Sequence, residues 1–294
     1  PEGTALIESA NLIGLALIPQ PHRDPLTLDS ARLGAALKSD TLTHCQHCII
    51  GIGGSATNDG GFGVARKLGW QFSNETGQEI ERWTDLASLK TITEPREGPL
   101  WADNLDSVTV AVDVQNPLLG PEGCTHVYGP QKGLKEEDLP RAEAALARLA
   151  EVWESQTGGN AARMTGAGAA GGLGFGLHCF AGAKIRSGFE VFAEAVDLTA
   201  KLEEADVVIT GEGAMDHQSI MGKGVGELPK LAQINGCRCL GLAGHLDRHS
   251  GLEAHFEQCH TLTEITSREE AEQNAARWLE KLSTETASNF NETE

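Results

Sequence analysis

The C-terminal third of the chain alternates short β-branched or apolar segments with segments of helical periodicity. The predicted strands are residues 206–210, 238–242 and 260–265, and the predicted helices are residues 222–234, 250–258 and 268–282. Strands separated by helices of this length form βαβ units, in which the strands run parallel. Because a parallel sheet is covered by helices on both faces, this rhythm predicts an α/β fold.

The N-terminal part follows the same rhythm less regularly. Its predicted strands are residues 4–7, 48–52 and 107–113, and its predicted helices are residues 29–39, 62–69, 136–155, 168–180 and 189–195. We expect a short hairpin within residues 71–104, a long Gly- and Pro-rich loop at 114–134 and a frayed polar tail at 283–294. Ligands of open parallel sheets bind at the carboxyl ends of the strands, so the loops there are candidate sites.

Residues 51–61, GIGGSATNDGG, place five glycines directly after a predicted strand. Glycines let the backbone approach a ligand closely and expose several N–H donors at once. Asp59 and the hydroxyls of Ser55 and Thr57 add groups that can bind a metal, orient a hydroxyl or move a proton. The N-terminus of the predicted helix 62–69 offers a site for an anion. The alternative is an ordinary strand–turn–helix connection.

The chain has 35 glycines, and most of them lie in clusters. The clusters are residues 51–63, 120–133, 166–176, 211–226 and 241–244. Since each cluster lies beside an apolar segment, several loops are expected to converge on one ligand. We therefore predict that residues 51–61, 113–133, 166–172 and 211–223 line one cleft.

Composition excludes several classes of protein. The formal charge of −19 argues against partners that need a basic face, such as nucleic acid and anionic membrane. Seven cysteines, an odd number, do not resemble a secreted disulfide framework and favour a cytoplasmic protein. The apolar start carries Glu8 and Asn11 without a basic leader, so it is not read as a signal peptide. The sequence begins at Pro1, and we expect an N-terminal truncation.

Charged side chains follow two of the predicted strands. Asp113 ends one strand and suits a metal, whereas Lys132, on the loop beyond it, suits a phosphate; the alternative is a surface loop. After the strand 206–210, Glu212 and Asp216 are candidates for binding Mg²⁺ or for acting as a base. Lys223, on the following loop, is a candidate phosphate ligand.

Two other motifs carry weaker signals. Residues 166–171 form a G-x-G-x-x-G, but the dinucleotide fingerprint requires a preceding strand, and residues 161–165 make a poor one. A close-packed helix and a phosphate contact are equally good readings of this segment. The His and Cys residues within 44–48 lack a suitably spaced second pair for zinc.

A series of motifs lies in order along the chain: IIGIGGSATNDGG at 49–61, DVQNPLLGPEG at 113–123, YGPQKG at 128–133, GAGAAGGLGFGL at 166–177 and VVITGEG at 207–213. The series continues with Asp216, residues 218–220, residues 222–223 and LAG at 242–244. Together these segments resemble the bacterial glycerate kinases, which phosphorylate D-glycerate at the expense of ATP. The chain departs from the family pattern at Ala214, where the family usually has Arg, and at Val225, where it usually has Pro.

The resemblance implies two α/β domains with an active-site cleft between them. One domain is flavodoxin-like with a parallel sheet, incomplete here and represented by residues 186–294; the other is inserted and comprises residues 1–185. The implied enzyme is a kinase, a phosphotransferase with an alcohol group as acceptor. It transfers the γ-phosphoryl of ATP to D-glycerate with Mg²⁺ and gives 2-phosphoglycerate. The implied partner is a small-molecule substrate, with no nucleic acid and no membrane, and the oligomeric state stays open.

Two alternative functions remain from the sequence. A catalytically impaired remnant would bind a small organic acid without turning it over, as the missing N-terminal portion and Ala214 suggest. A nicotinamide-dependent oxidoreductase is the less favoured alternative, because its fingerprint would need a strand before residue 166.

Phosphoryl transfer requires positioning, neutralisation of phosphate charge and a carboxylate that accepts the hydroxyl proton. By residue type, we predict Asp59 or Asp216 as the base and Lys132 as a ligand of a phosphate or of the substrate carboxylate. Mg²⁺ is expected near Asp113 or Glu212. The predicted substrate- or phosphate-binding residues are Gly53, Gly54, Ser55, Thr57, Asn58, Asn116, Gln131, Gly168, Gly171 and Lys223.

Overall fold

The computed structural model describes residues 3–96, 105–216, 219, 224–247 and 251–291. The chain divides into two compact units, Pro1–Ser187 (unit 1) and Gly188–Glu294 (unit 2). Both units combine parallel strands with helices, so the expected α/β class is confirmed. Which unit is an insertion into the other stays a prediction.

Unit 1 is built on a parallel sheet. Its strands are β1 (Thr4–Glu8), β2 (His47–Gly51), β5 (Ser107–Val112) and β6 (Lys184–Ser187), in the spatial order β1-β2-β5-β6 within the described residues. Alternate residues of β5 (Val108, Val110 and Val112) are buried, as expected for a β-branched strand against a core. Gly51 pairs with Ala111, so the segments that follow β2 and β5 leave the sheet side by side.

Helices and a small hairpin complete unit 1. The helices are α1 (Ala10–Ile13), α2 (Ala31–Leu37), α3 (Phe62–Lys67), α4 (Cys124–Lys132), α5 (Leu139–Thr157) and α6 (Ala169–Ala181). The antiparallel pair β3 (Gln71–Asn74) and β4 (Leu89–Thr93) forms the expected hairpin, and residues 97–104 lie outside the described residues. Edge-to-face contacts among Trp70, Trp153 and Phe180 join the hairpin side of the core to α5 and α6.

One prediction for unit 1 is wrong, and one of its strands is not predicted from the sequence. Residues 114–134 are not one loop, because α4 occupies their second half and ends at Gly133, whose φ is 110°. Pro130 lies inside α4 and has no N–H to donate to the carbonyl four residues earlier. The strand β6 was missed because KIRS is short and only partly buried.

Unit 2 contains a second parallel sheet. Its described strands are β7 (Val207–Met215), β8 (Arg238–Leu246) and β9 (Gln258–Thr261), in that spatial order. Its described helices include α7 (Gly188–Ala195), α8 (Leu198–Glu203), α9 (Gly224–Ile234), α10 (Arg268–Gln273) and α11 (Ala275–Asn291). The core includes Leu202, Met215, Ala232 and Leu252, which come from helices, strands and a 3-10 turn.

Three predictions for unit 2 need correction. In place of the predicted helix at 250–258, the described residues form a 3-10 turn, Leu252–His255, and β9 begins at Gln258; residue 250 lies outside the described residues. The predicted strand at 260–265 ends at Thr261, where a capping box between Thr261 and Glu264 starts another 3-10 turn. The predicted frayed tail continues the helix to Asn291, because Leu282 and Thr286 bury one face of α11.

Candidate active site

A cavity of about 400 Å³ opens in unit 1 where β2 and β5 end. The loop after β2 contributes Gly53, Gly54 and Ser55, the end of β5 contributes Asp113, and α4 contributes Tyr128, Gln131 and Lys132. Ala169 and Ala170, at the start of α6, also line the cavity. The cavity thus lies at the carboxyl edge of a parallel sheet, the usual location for a ligand in this class.

Lys132 is the buried charge of this cavity. Its side chain is 3% exposed, and Nζ donates hydrogen bonds to the Ser55 hydroxyl at 3.0 Å and to the Thr57 carbonyl at 2.7 Å. The Ser55 hydroxyl in turn donates to the Ala170 carbonyl at 2.8 Å. Among the described residues, no carboxylate forms an ion pair with Lys132. The arrangement therefore leaves one tetrahedral position of Nζ for a group in the cavity.

Burial controls the protonation of Lys132. Loss of hydration lowers the pKa of its ammonium from 10.5 to about 8, and the charges of Cys124 and Asp59 oppose that change. An unpaired buried ammonium is costly, and an anion bound in the cavity would supply the missing opposite charge. The Lys132 ammonium is therefore suited to bind a carboxylate or a phosphate group in the cavity.

Asp59 does not line the cavity. Its carboxylate is fully buried and accepts hydrogen bonds from the Ser30 N–H and hydroxyl and from the N–H groups of Gly61 and Gly63. The Ser30 hydroxyl also accepts from the Val64 N–H, so Asp59 and Ser30 together join the N-termini of α2 and α3. Burial raises the pKa of Asp59, while the bonds from Gly63 and Ser30 work in the opposite direction.

Two sequence-based expectations change with this finding. The N-terminus of α3 was expected to offer an anion site, but the Asp59 carboxylate already occupies it, so that expectation is wrong. The role of Asp59 as a base is not supported by its contacts, which are those of a residue that joins two helices. The role itself stays untested.

The predicted glycines fall into two groups. Gly53 lines the cavity, and a Cβ placed on it would meet nothing within 4 Å. A Cβ on Gly168 would lie 2.1 Å from the Pro117 carbonyl, and one on Gly171 would lie 2.0 Å from the Thr57 carbonyl and 2.9 Å from Lys132 Nζ. Gly168 and Gly171 thus permit close backbone packing. This favours the close-packed helix over the phosphate contact as the interpretation of this segment.

The start of α6 has an unusual backbone. Ala170, Gly171 and Gly172 all have positive φ, and the regular helix begins after them. Residues 161–163 form a 3-10 turn, so no strand precedes the G-x-G-x-x-G motif. This agrees with the argument against a dinucleotide fingerprint.

Asn58, Thr57 and Asn116 do not line the cavity, but Thr57 and Asn116 form hydrogen bonds with side chains that do. Asn58 is buried and donates to the Thr125 hydroxyl at 3.1 Å, and Thr57 offers its carbonyl to Lys132. The Thr57 hydroxyl and the side-chain amide oxygen of Asn58 are buried without a hydrogen-bond partner in the described part of the chain. Asn116 accepts from the Tyr128 hydroxyl at 2.6 Å.

A family model described as the glycerate kinase family matches residues 1–291. The chain belongs to the glycerate kinase family. It is 34% identical over 303 residues to the glycerate kinase of Bacillus subtilis strain 168, which covers 98% of this chain and 76% of that relative. It is 36% identical over 275 residues to the glycerate 2-kinase of Escherichia coli K12, which covers 91% of this chain and 71% of that relative.

A solved structure agrees with this assignment. The crystal structure described as glycerate kinase 2 from Salmonella typhimurium LT2 matches with a TM-score of 0.74 and 34% identity, over 99% of this chain and 76% of that one. The recognition of a glycerate kinase from the sequence motifs is therefore confirmed. Membership of this family implies a kinase that uses a nucleotide and a small-molecule substrate.

The remaining predicted residues lie in unit 2 or outside the described residues. Glu212 lies on β7, lines a separate cavity of about 780 Å³ within unit 2 and accepts a hydrogen bond from the Ser219 hydroxyl. Asp216 follows β7, and its N–H donates to Ser219 Oγ at 3.1 Å. Lys223 lies outside the described residues. The prediction that residues 211–223 join the other three segments in one cleft stays untested.

A resident metal cage is absent from the residues that the structure describes, where no three His, Cys, Asp or Glu side chains cluster. Mg²⁺ in phosphoryl-transfer enzymes commonly binds through one or two carboxylates together with substrate phosphates. Asp113, exposed at the end of β5 and lining the cavity, fits that mode of binding. Among the described helices, none is long and apolar enough to cross a membrane.

Sequence reasoning missed Tyr128. It is the one tyrosine of the chain and lines the cavity beside Lys132. The sequence feature that could have identified it is the spacing of four between Tyr128 and Lys132, because residues at this spacing lie on one face of a helix. Gly129 and Pro130 in the same segment are typical of a loop, so the sequence alone does not indicate the helix that this spacing requires.

Proposed function

We propose that the protein is a glycerate 2-kinase that transfers the γ-phosphoryl group of ATP to the 2-hydroxyl of D-glycerate, with Mg²⁺. The observation that carries the proposal is the buried, unpaired Lys132 in a cavity at the carboxyl edge of the sheet, in a chain of the glycerate kinase family. A relative named glycerate 2-kinase, at 36% identity, supports the 2-position. The cavity of about 400 Å³ suits a small organic acid.

Lys132 would bind the substrate carboxylate. Its two fixed hydrogen bonds hold Nζ in one orientation, which directs the third position toward the cavity. A preoriented ammonium in a partly dehydrated site neutralises an anion more effectively than one in water. Gly53 and Gly54 line the same wall and would let the ligand approach the backbone.

Carboxylates would serve the metal ion of the transferred phosphoryl group and the reacting hydroxyl. ATP with Mg²⁺ supplies the activated phosphoryl group and neutralises part of its charge when bound. Asp113, which lines the cavity of unit 1, would hold Mg²⁺, and Glu212 on β7 is the alternative ligand. Asp216 is the candidate base, because Asp59 is engaged in joining two helices.

The test is a turnover assay with identification of the product. Purified protein is incubated with ATP, MgCl₂ and D-glycerate, and the product is assigned by ³¹P–¹H correlation, which distinguishes 2- from 3-phosphoglycerate. The proposal expects 2-phosphoglycerate. Formation of 3-phosphoglycerate would contradict the 2-position, whereas binding of D-glycerate without turnover would favour the impaired, acid-binding alternative.

A further inference from the structure

Tyr128 and Lys132 lie four residues apart on α4 and line the same cavity. Side chains at this spacing are neighbours on a helix surface, with Cβ atoms roughly 5–6 Å apart. A ligand small enough for a cavity of about 400 Å³ can therefore contact both side chains at once. Their hydrogen-bonding capacities decide what kind of ligand fits.

The direction of the Tyr128 hydrogen bond follows from Asn116. The Asn116 amide nitrogen donates to the Glu122 carbonyl at 2.8 Å, so the amide oxygen is the atom that faces Tyr128. The Tyr128 hydroxyl must then donate its proton to that oxygen, at 2.6 Å. Burial raises the pKa of the Tyr128 phenol, with a further contribution from Cys124, so the phenol keeps its proton at neutral pH.

The two side chains consequently have opposite requirements. With its one proton given to Asn116, the Tyr128 oxygen can only accept a hydrogen bond from a ligand, and donation of the proton strengthens it as an acceptor. The Lys132 ammonium can only donate. A ligand that satisfies both must present an anionic oxygen and, a few ångströms away, a hydroxyl donor, which is the chemistry of a small hydroxy acid.

We propose that Tyr128 determines the specificity of this cavity by accepting a hydrogen bond from the substrate hydroxyl that is not phosphorylated, the 3-hydroxyl of glycerate. The proposal rests on the proposed function. Asn116 is then a positioning residue, since it holds the proton of Tyr128 away from the ligand. The carboxylate of the same ligand meets Lys132.

The test compares two ligands in two proteins. D-lactate has the carboxylate and 2-hydroxyl of D-glycerate but lacks the 3-hydroxyl, so the pair isolates the proposed contact. We measure the dissociation constants of both acids by calorimetry for the wild type and for Tyr128→Phe, which removes only the phenolic oxygen. Val127→Ala, an exposed neighbour on α4 that does not line the cavity, is the matched control.

The expected result is selective. The wild type should bind D-glycerate about 5- to 10-fold more tightly than D-lactate, as for one neutral hydrogen bond. In Tyr128→Phe, D-glycerate should bind as weakly as D-lactate, whose affinity stays within about twofold of its wild-type value. Turnover should show a raised KM for D-glycerate, with kcat changed by no more than about threefold.

Three outcomes would overturn the proposal. Equal weakening of both acids in Tyr128→Phe would assign Tyr128 a purely structural role. An unchanged preference would remove Tyr128 from ligand recognition. Failure of the wild type to bind or phosphorylate D-glycerate would overturn the proposed function as well, which distinguishes that failure from the first two.

Discussion

Lys132 Nζ lies 3.0 Å from the hydroxyl oxygen of Ser55, although 77 positions separate the two residues. The bond joins the end of α4 to the glycine-rich loop after β2, two of the segments that carry the family resemblance. Because the hydroxyl proton of Ser55 is donated to the Ala170 carbonyl, its oxygen is left to accept from Lys132. Three segments that are distant in sequence thus fix one ammonium group.

Replacing Lys132 should remove most of the activity. In Lys132→Met the side chain keeps a similar length but loses its charge, so kcat/KM for D-glycerate should fall by about 10²- to 10³-fold. Steady-state kinetics measure the effect, and circular dichroism checks the fold. The matched control is Lys90→Met, an exposed residue on β4, which should retain wild-type activity. A loss below about threefold in Lys132→Met would remove this residue from the site.

Lys132 should also make stability depend on pH. Its pKa is about 8 in the folded protein and 10.5 when the side chain is exposed, so between these values the unfolded chain binds more protons. The contribution of Lys132 to the unfolding free energy therefore rises by about 3 kcal/mol from pH 8 to pH 10.5 and does not change below pH 7.

Urea denaturation across this pH range measures the effect. The difference in unfolding free energy between the wild type and Lys132→Met cancels the other groups that titrate there. As the pH rises from 8 to 10.5, the unfolding free energy of the wild type should increase relative to that of Lys132→Met. A difference that stays constant from pH 7 to pH 10.5 would show that Lys132 titrates normally.

Gly53→Ala and Gly171→Ala form a matched pair. A methyl group on Gly171, whose φ is 76°, would collide with the Thr57 carbonyl and Lys132 Nζ, so we expect a loss of about 2–4 kcal/mol in unfolding free energy.

A methyl group on Gly53 meets open space, so stability should change by less than about 0.5 kcal/mol. The affinity of Gly53→Ala for D-glycerate should nevertheless fall about tenfold, because the methyl group enters the cavity. Thermal denaturation and calorimetry separate the two effects, and wild-type affinity in Gly53→Ala would show that the ligand does not approach this wall.

Asp59→Asn tests whether this carboxylate is structural. The amide replaces one acceptor oxygen with a donor that faces the N–H groups of Ser30, Gly61 or Gly63, so unfolding should become easier by about 1–3 kcal/mol. Below the unfolding transition, kcat should stay within about threefold of the wild-type value. A kcat lowered by 100-fold or more at unchanged stability would instead make Asp59 the base.

The strands and the glycine-rich loop were predictable because their signals are local. The alternation in β5 and the apolar residues of β2 follow a period of two, and their parallel pairing follows from the rhythm of strands and helices. The placement of Lys132, Ser55 and Asp113 around one cavity agrees with the expectation that polar residues gather where parallel strands end.

Other features lacked a local signal. The partner of Asp59 is Ser30, 29 positions earlier, and nothing in residues 51–61 indicates that the carboxylate is already engaged. Gly129 and Pro130 are typical of turns and concealed α4, so the pairing of Tyr128 with Asn116 was missed. The hydroxyls of Ser283, Thr284 and Ser288 donate to carbonyls four residues earlier within α11. These polar residues therefore continue the helix, whereas their polarity alone predicts a frayed tail.

The most direct test is a crystal structure of the protein with D-glycerate. The account predicts the ligand in the cavity of unit 1, with a carboxylate oxygen about 3 Å from Lys132 Nζ. Its carboxylate would occupy the position that the bonds to Ser55 and Thr57 leave open. D-glycerate bound elsewhere, with Lys132 still held only by Ser55 and Thr57, would contradict the account.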